Sequence, residues 1–263
     1  MPLQAQLDAL KAERYARTPL HATLALQRAV DQLLASGLAE RALQAGDRSP
    51  SFRLRDGSGA TFSTDNALRV GPVLIVFYRG RWCPYCNVDL AAIESTAREI
   101  RSAGASIIAI SQQTPAESLQ TVHLNGLSFG SLVDRHGRVA NAFGLRWKVS
   151  AELRAVQEEC GVDLAAFNGD AAWTLAMPAR YIVGADGTVA YADISVDYTQ
   201  RGDPSEVLPV LDRLRARQGP YGNLGAADGR RQSEAPESVS LRPRRPRAGS
   251  SPHVRVPTFR TQG

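Results

Sequence analysis

The sequence contains little cysteine. Only three cysteines occur among its 263 residues, at positions 83, 86 and 160. A small secreted domain stapled by disulfides carries more of them, and usually an even number. The count therefore excludes that class and fits a reducing compartment, so we expect the protein in the cytoplasm.

Long uncharged apolar stretches are also missing. Charged residues interrupt every apolar stretch before Val73. A secretory signal needs an uninterrupted apolar segment, and a membrane-spanning helix needs about 20 apolar residues. We therefore expect neither a signal peptide nor a membrane span.

Motifs for bound cofactors are missing as well. The sequence has no glycine-rich phosphate loop and no dinucleotide fingerprint. A cysteine pair could be half of a structural zinc site, but such a site needs four ligands. The four histidines, at positions 21, 123, 136 and 253, include no pair at zinc-ligand spacing. We expect no cofactor and no metal.

Lysine is almost absent, and the positive charge is unevenly spread. All but two of the 31 basic residues are arginine, and the net charge is +5. Nine arginines and three acidic residues fall between Arg217 and Gly263, so this segment carries +6 and the rest of the chain −1. Glycine, proline, serine and arginine dominate there, which predicts a disordered basic tail over residues 217–263. No aromatic residue follows the arginine cluster at Arg242–Arg247 until Phe259, so stacking on nucleic acid is not indicated.

Apolar periodicity divides the rest of the chain into two parts. Residues 1–45 predict a helical arm that packs on the domain or forms a homo-oligomer contact. In residues 46–216, the apolar runs Val73–Tyr78 and Ser106–Ser111 predict strands buried on both faces. Helical patterns alternate with them, and Asp186-Gly187 marks a hairpin turn. The order predicts an α/β fold, a three-layer sandwich around a central mixed β-sheet with an N-terminal helical extension.

The sequence Cys83-Pro84-Tyr85-Cys86 follows the first of these strands and opens a helix. The free N–H groups and the dipole of a helix N-terminus stabilise a thiolate there. Pro84 suits the first turn, where its missing N–H costs nothing. Cys83 is therefore predicted to be the more acidic and more exposed thiol, with Arg79 and Arg81 adding positive charge. Cys86 lies one turn further on, where it can close a disulfide with Cys83.

The third cysteine has a different environment. Cys160 lies in a helical pattern directly after Glu158 and Glu159. Nearby carboxylates raise the pKa of a thiol. We therefore expect Cys160 to be an ordinary free or partly buried cysteine.

The stretch from Phe77 to Cys86 resembles the active-site segment of peroxiredoxin-like proteins of the alkyl hydroperoxide reductase/thiol-specific antioxidant family. The resemblance extends from about Gly46 to Arg215. It implies a thioredoxin-like fold and the reduction of hydroperoxides by a thioredoxin- or glutaredoxin-like reductant. Tyr85 also matches glutaredoxin active sites, and Trp82 matches those of thioredoxins.

The segment departs from the family pattern at several positions. The pattern P-x-x-x-T/S-x-x-C places the peroxidatic cysteine at Cys86, with Arg79 at the proline and Cys83 at the threonine. The family's activating arginine falls on Pro178, and Arg180 lies two positions away. The bond before Pro178 resembles the cis-proline loop of thioredoxins. We predict a cis bond that faces the cysteines.

Two assignments of the cysteines remain open. In the thioredoxin assignment Cys83 attacks and Cys86 resolves. In the peroxidase assignment Cys86 becomes a sulfenic acid and Cys83 resolves it. The resemblance favours Cys86 as the first sulfur oxidised by peroxide, whereas helix placement favours Cys83 towards disulfides. The candidate site residues are Cys83 and Cys86 as catalytic groups, with Arg79, Trp82, Pro84, Tyr85, Pro178 and Arg180 binding or activating the substrate.

Three functions are compatible with this sequence. The first is a peroxiredoxin-like peroxidase, and the second is a protein disulfide reductase without peroxidase activity. The third is a non-catalytic redox sensor or binding module that uses the basic tail. Rapid turnover with peroxide, turnover only with disulfides, and redox-dependent binding without turnover would distinguish them.

Overall fold

The structure, a computed structural model, describes residues 1–218. All but the first two residues of the predicted basic tail lie outside this part. The helices are α1 (Leu3–Arg17), α2 (Leu20–Ala35), α3 (Leu38–Arg41), α4 (Thr64–Leu68), α5 (Pro84–Ser102), α6 (Pro115–Leu124), α7 (Arg138–Ala142), α8 (Ala151–Glu159), α9 (Leu164–Asn168) and α10 (Leu208–Gln218). The strands are β1 (Arg53–Asp56), β2 (Thr61–Ser63), β3 (Val73–Phe77), β4 (Ser106–Ser111), β5 (Gly130–Val133), β6 (Arg146–Lys148), β7 (Thr174–Ala176), β8 (Ala179–Val183) and β9 (Val189–Ile194). None of the described helices is long and apolar enough to cross a bilayer.

Seven of the strands form one mixed sheet, in the order β2-β1-β5-β4-β3-β8-β9. Strand β3 lies inside the sheet, parallel to β4 and antiparallel to β8. All five of its residues are buried, as the continuous apolar run predicts for a strand covered on both faces. The site-bearing turn after β3 is therefore anchored to the most deeply buried part of the fold.

Helices cover both faces of the sheet. Because side chains alternate along a strand, Leu74, Val76 and Tyr78 face α5, α1 and α10. Val73, Ile75 and Phe77 face the opposite layer, where Phe143 packs 5.0 Å from Phe77 between ring centroids. Burying each such side chain contributes about 1.5–3 kcal/mol. The arrangement confirms the predicted three-layer α/β sandwich.

The N-terminal arm packs on the same molecule. Leu3 and Leu7 of α1 are buried against α5. Ala22 and Ala25 of α2 are buried against Val156 of α8. The arm thus lies beside the helix that begins at the cysteine pair.

The bond before Pro178 is trans, because no peptide bond in the described part of the chain is cis. The prediction of a cis-proline loop is therefore wrong. Met177 N–H donates to the Leu145 carbonyl oxygen at 2.9 Å, and the Pro178 carbonyl oxygen accepts from Ser195 N–H at 2.9 Å. These two hydrogen bonds hold the chain in an extended conformation from β7 into β8. The trans peptide bond before Pro178 is compatible with that conformation.

Candidate active site

Cys83 is the N-cap residue of α5, and Pro84 occupies the first helical position. The carbonyl oxygen of Cys83 accepts from Cys86 N–H at 3.1 Å and from Asn87 N–H at 3.2 Å, which begins the helix. Strand β3 ends at Phe77, six residues before. The predicted strand–turn–helix placement of the pair is confirmed, and both thiols are free in this structure.

The exposure of the pair differs from the prediction. Cys83 is only 1% exposed and Cys86 is fully buried. Tyr15 of α1, Trp82 and Tyr198 line the same cleft as Cys83. The prediction of an exposed Cys83 is wrong because the arm and the loop after β9, which are distant in sequence, close over the helix end.

The pKa values of the two thiols move in opposite directions. Burial alone would raise the pKa of Cys83, but the hydrogen bond from the Cys86 thiol, the Arg79 charge, the Cys86 backbone N–H and the Arg201 charge outweigh it. Together they lower the pKa of Cys83 to about 6. Burial, the hydrogen bond to Cys83 and the Cys83 charge raise the pKa of Cys86 well above its usual value. At neutral pH, Cys83 is therefore the thiolate and Cys86 its thiol donor.

Arg79 supplies an unneutralised charge beside this thiolate. Its guanidinium carbon lies 4.7 Å from the centroid of the Trp82 ring and 4.3 Å from that of Tyr198, in cation–π geometry. Arg79 is 5% exposed, and no carboxylate among the described residues forms a salt bridge with it. Arg81, which was also expected to add charge, instead donates from Nε to Glu117 Oε2 at 2.6 Å. Its charge is thus neutralised.

A buried charge network lies under Cys86. The two oxygens of Asp89 accept from Arg180 Nη2 and, at 3.1 Å, from Arg201 Nε. Arg201 Nη2 donates to Cys86 Sγ at 3.6 Å. Asp89, Arg180 and Arg201 are all buried. The two guanidinium groups share the single carboxylate of Asp89. The excess positive charge lies against the sulfur of Cys86.

Arg180, the candidate activating arginine, is the member of this network that makes no hydrogen bond to a cysteine sulfur. Its Nη1 donates to the Gly202 carbonyl oxygen at 2.7 Å, and its Nη2 donates to Asp89. Its hydrogen bonds therefore link it to the cysteines through Asp89 and Arg201. In this structure Arg201, and not the candidate Arg180, donates a hydrogen bond to a cysteine sulfur.

The remaining predicted site residues lie around Cys83. Tyr85 is buried, and its ring packs edge-on against Tyr198 at 5.5 Å between centroids. Trp82 and Pro84 line the cleft that contains Cys83. Pro178 lines a neighbouring, mostly apolar cavity whose wall also includes Arg79 and Tyr198. Pro178 thus shares a cavity with Arg79 but does not line the Cys83 cleft.

Asp89, Tyr198 and Arg201 were not among the predicted site residues. The sequence does contain an indication that Asp89 is buried, because this residue falls three positions after Cys86 on the apolar stripe of α5. An acidic residue on such a stripe indicates a buried cationic partner. Tyr198 and Arg201 lie in the loop after β9, where no periodicity marks a side chain as buried.

The fold and the paired cysteines define a thioredoxin-fold protein with a dithiol site. The family model described as the AhpC/TSA family matches residues 45–192, more than half of the chain. The chain belongs to the AhpC/TSA family. Helices α1 and α2, Tyr198 and Arg201 lie outside the matched residues.

Curated relatives match only in part. Thiol-disulfide oxidoreductase ResA of Halalkalibacterium halodurans is 31% identical over 110 residues, 41% of this chain and 61% of that protein. Peroxiredoxin Bcp of Escherichia coli K12 is 28% identical over 103 residues, 39% of this chain and 65% of that protein. The chain thus spans less than two thirds of the length of these relatives.

Solved structures share the fold. Peroxidoxin BcpB from Mycobacterium tuberculosis superposes with a TM-score of 0.52 at 19% identity, covering 66% of this chain and 97% of that one. AhpC from the same organism gives a TM-score of 0.51 at 18% identity, covering 69% and 98%. These similarities show that the fold is thioredoxin-like.

The pKa values predict a wide separation of reactivity between Cys83 and Cys160. Only the thiolate is alkylated, so the rate rises as the pH passes upward through the pKa. Iodoacetamide should modify Cys83 with a midpoint near pH 6. Cys160, whose pKa burial and Glu159 raise to about 11, should react only in strong base. Peptide mass spectrometry after timed alkylation across this pH range measures both, and equal midpoints would contradict the assignment.

Proposed function

We propose that this protein is a thiol-dependent oxidoreductase, a peroxiredoxin-like peroxidase that reduces hydroperoxides by cycling Cys83 and Cys86 between dithiol and disulfide. The observation that carries the proposal is the pair of free thiols at one helix N-terminus, with Cys83 at the N-cap and the Arg201 guanidinium 3.6 Å from Cys86 Sγ. The opposite shifts of the two pKa values agree with this geometry. A thiolate beside a protonated thiol supplies both the nucleophile and the proton that the reaction needs. Membership of the AhpC/TSA family and the Bcp match support it.

The first step is attack on the peroxide. The Cys83 thiolate attacks the terminal oxygen of ROOH, the O–O bond breaks, and Cys83 becomes a sulfenic acid. The departing alkoxide takes the proton of the Cys86 thiol and leaves as ROH. Arg79 and Arg201 face the site without a matching number of carboxylates, so they stabilise the negative charge that develops on oxygen.

The second step forms the disulfide. Cys86, now a thiolate next to the Arg201 guanidinium at 3.6 Å, attacks the sulfur of the Cys83 sulfenic acid. The S–O bond breaks, hydroxide leaves and is protonated to water, and the 83–86 disulfide forms. These pKa shifts favour Cys83 as the attacking sulfur towards peroxide as well, against the expectation taken from the family pattern.

The cycle closes when a thiol reduces this disulfide. The family resemblance implies a reductant of the thioredoxin or glutaredoxin type. Because the cycle needs a supply of reduced thiols, we propose that the protein works in the cytoplasm. Oligomeric assembly is not required by this mechanism, since both sulfurs belong to one chain.

A second candidate function is protein disulfide reduction without peroxidase activity. It is favoured by the C-x-x-C spacing itself, with Cys83 where peroxiredoxins carry threonine, and by the match to ResA. In this case the Cys83 thiolate attacks a substrate disulfide and Cys86 resolves the mixed disulfide. The same residues serve both functions, so the substrate distinguishes them.

Stopped-flow oxidation of the reduced protein tests the proposal. Hydrogen peroxide and an alkyl hydroperoxide should each remove two thiols per peroxide and form the 83–86 disulfide, as thiol titration and peptide mapping show. Insulin reduction, measured in parallel, tests the second function. Turnover with insulin and no reaction with either peroxide would replace the first proposal by the second.

A further inference from the structure

The backbone of Arg81, two residues before Cys83, is hydrogen-bonded at both of its polar groups by side-chain amides. Gln113 Oε1 accepts from the Arg81 N–H at 2.9 Å. The Arg81 carbonyl oxygen accepts from Asn87 Nδ2 at 2.8 Å. The proposed cycle uses neither amide. Two side chains from different parts of the fold thus converge on one residue of the turn that precedes the cysteine pair.

The sheet topology brings Gln113 to this turn. Strands β3 and β4 are parallel, with Phe77 opposite Ile110, so both strands end at the same edge of the sheet. The turn that leads to Cys83 follows β3, and Gln113 lies two residues after the end of β4. Gln113 is fully buried. Its amide therefore needs hydrogen-bond partners within the protein.

A buried polar network fixes the amide of Gln113. Its Nε2 donates to Tyr78 Oη and to Thr121 Oγ1, both at 2.7 Å. Tyr78 Oη in turn lies 2.7 Å from Ser131 Oγ on β5. The Arg81 N–H requires an acceptor, and the two hydroxyl groups take the donors, so the orientation of the amide is determined. Gln113 is therefore a fixed point, joined to β5 and α6, against which the turn is held.

The turn itself has a tight conformation. Gly80 has a φ of +147°, which L side chains rarely adopt. A Cβ atom at this position would lie 2.6 Å from Trp82 Nε1. The Cys83 N–H donates to the Gly80 carbonyl oxygen at 3.0 Å. The conformation of these few residues determines where Arg79, just before the turn, lies relative to Cys83.

The placement of Arg79 matters for the chemistry of Cys83. The buried guanidinium of Arg79 lies over the ring of Trp82, and its positive charge favours the thiolate of Cys83. The interaction between two charges weakens as the distance between them grows. A turn that shifts would therefore weaken the effect of Arg79 on the thiolate.

We propose that Gln113 and Asn87 are positioning residues, which hold the backbone of Arg81 and thereby keep Arg79 and Cys83 in the arrangement that makes Cys83 reactive. This inference rests on the proposed role of Cys83 as the attacking sulfur. Among the described residues, the hydrogen bonds of the two side chains go to the turn and to the surrounding network, not to a sulfur atom. Their effect on Cys83 is therefore transmitted through the turn.

The pH dependence of alkylation tests this role. Iodoacetamide labelling of Cys83 is followed by peptide mass spectrometry in the native protein, in Gln113→Met and in Asn87→Leu. Each substitution keeps much of the side-chain bulk and removes the amide. The midpoint should rise from near pH 6 by about one pH unit, the order of the free energy that one buried hydrogen bond contributes. At pH 5 the thiolate fraction then falls about tenfold.

Thr64→Val on α4 is the control for a loss of stability alone. Thr64 is buried, and its Oγ1 accepts from the Phe52 N–H at 2.9 Å. Valine has nearly the same shape but cannot make this hydrogen bond, so the variant should unfold at a lower urea concentration than the native protein. Its alkylation midpoint should stay near pH 6. Urea denaturation of all the variants separates a loss of stability from a change in the reactivity of Cys83.

The outcomes separate this inference from the proposed function. An unchanged midpoint in either substituted protein that folds, or an equal rise in Thr64→Val, overturns the inference and leaves the peroxidase cycle untouched. If Gln113→Met does not fold, Asn87→Leu decides alone, because Asn87 is only partly buried. If peroxide forms no 83–86 disulfide in the native protein while both substitutions raise the midpoint, the peroxidase proposal fails and the positioning role stands.

Discussion

Replacing Asp89 by asparagine should lower the free energy of unfolding by about 3–5 kcal/mol, the usual loss when one partner of a buried ion pair is removed. The carboxylate is 2% exposed and accepts from both Arg180 and Arg201. Asparagine has nearly the same shape but no charge. The variant therefore leaves two buried guanidinium groups without a counter-ion, and desolvated charge without compensation is strongly unfavourable.

Urea denaturation followed by circular dichroism measures this loss. Asp31→Asn, an exposed change of the same chemistry on α2, is the control and should stay within about 0.5 kcal/mol of the native protein. The thiolate should survive in Asp89→Asn, because removing the carboxylate makes the surroundings of the cysteines more positive. A loss below about 1 kcal/mol would show that water reaches the two arginines and that the network is not buried in solution.

Replacing Cys83 by serine should slow oxidation by peroxide by about 100-fold or more at pH 7, because burial raises the pKa of the remaining Cys86 and leaves very little of it as thiolate. The remaining Cys86 is fully buried, and burial is the largest cause of its raised pKa. The reaction should accelerate again only in alkaline solution. Stopped-flow measurement from pH 6 to pH 10 gives both the size of the loss and its pH dependence.

Cys86→Ser is the matched control for this change. The serine hydroxyl can donate to the Cys83 sulfur as the thiol does, so Cys83 should keep a lowered pKa and react rapidly. The reaction should then stop at the sulfenic acid, because no second sulfur resolves it. Rapid oxidation of Cys83→Ser with slow oxidation of Cys86→Ser would reverse the roles assigned to the two cysteines.

The position of the cysteine pair could be predicted because its signals are local. The apolar run of β3 and Pro84 at the first helical position lie within a dozen residues of Cys83. Together they determine where the strand ends, where the helix begins and which sulfur lies at its N-terminus. The opposite pKa shifts of the pair follow partly from that placement.

The surroundings of the pair could not be predicted because they come from contacts between distant segments. Arg201 is hydrogen-bonded to Cys86, although 115 residues separate the two in sequence. Tyr15, which belongs to the N-terminal arm, lines the Cys83 cleft. The loop that carries Tyr198 and Arg201 has no periodicity, so nothing in the sequence marks it as buried. The exposure predicted for Cys83 was wrong for this reason.

The pairing of two short strands was also not predicted. Strands β6 and β7 have three residues each and pair antiparallel, with Trp147 opposite Leu175. Alternation over three residues is too brief to distinguish a strand from a loop. Their pairing leads the chain into β8 through Met177 and Pro178, and the bond between these two residues is trans rather than the cis bond expected from the thioredoxin pattern.

The most direct test of the account is to trap the sulfenic acid with a dimedone probe in Cys83→Ser and in Cys86→Ser after one equivalent of hydrogen peroxide, and to locate the label by peptide mass spectrometry. The pKa shifts predict that Cys86→Ser is labelled at Cys83 and that Cys83→Ser remains unlabelled at neutral pH. Label on Cys86 in Cys83→Ser, with none on Cys83 in Cys86→Ser, would contradict the assignment of Cys83 as the attacking thiolate.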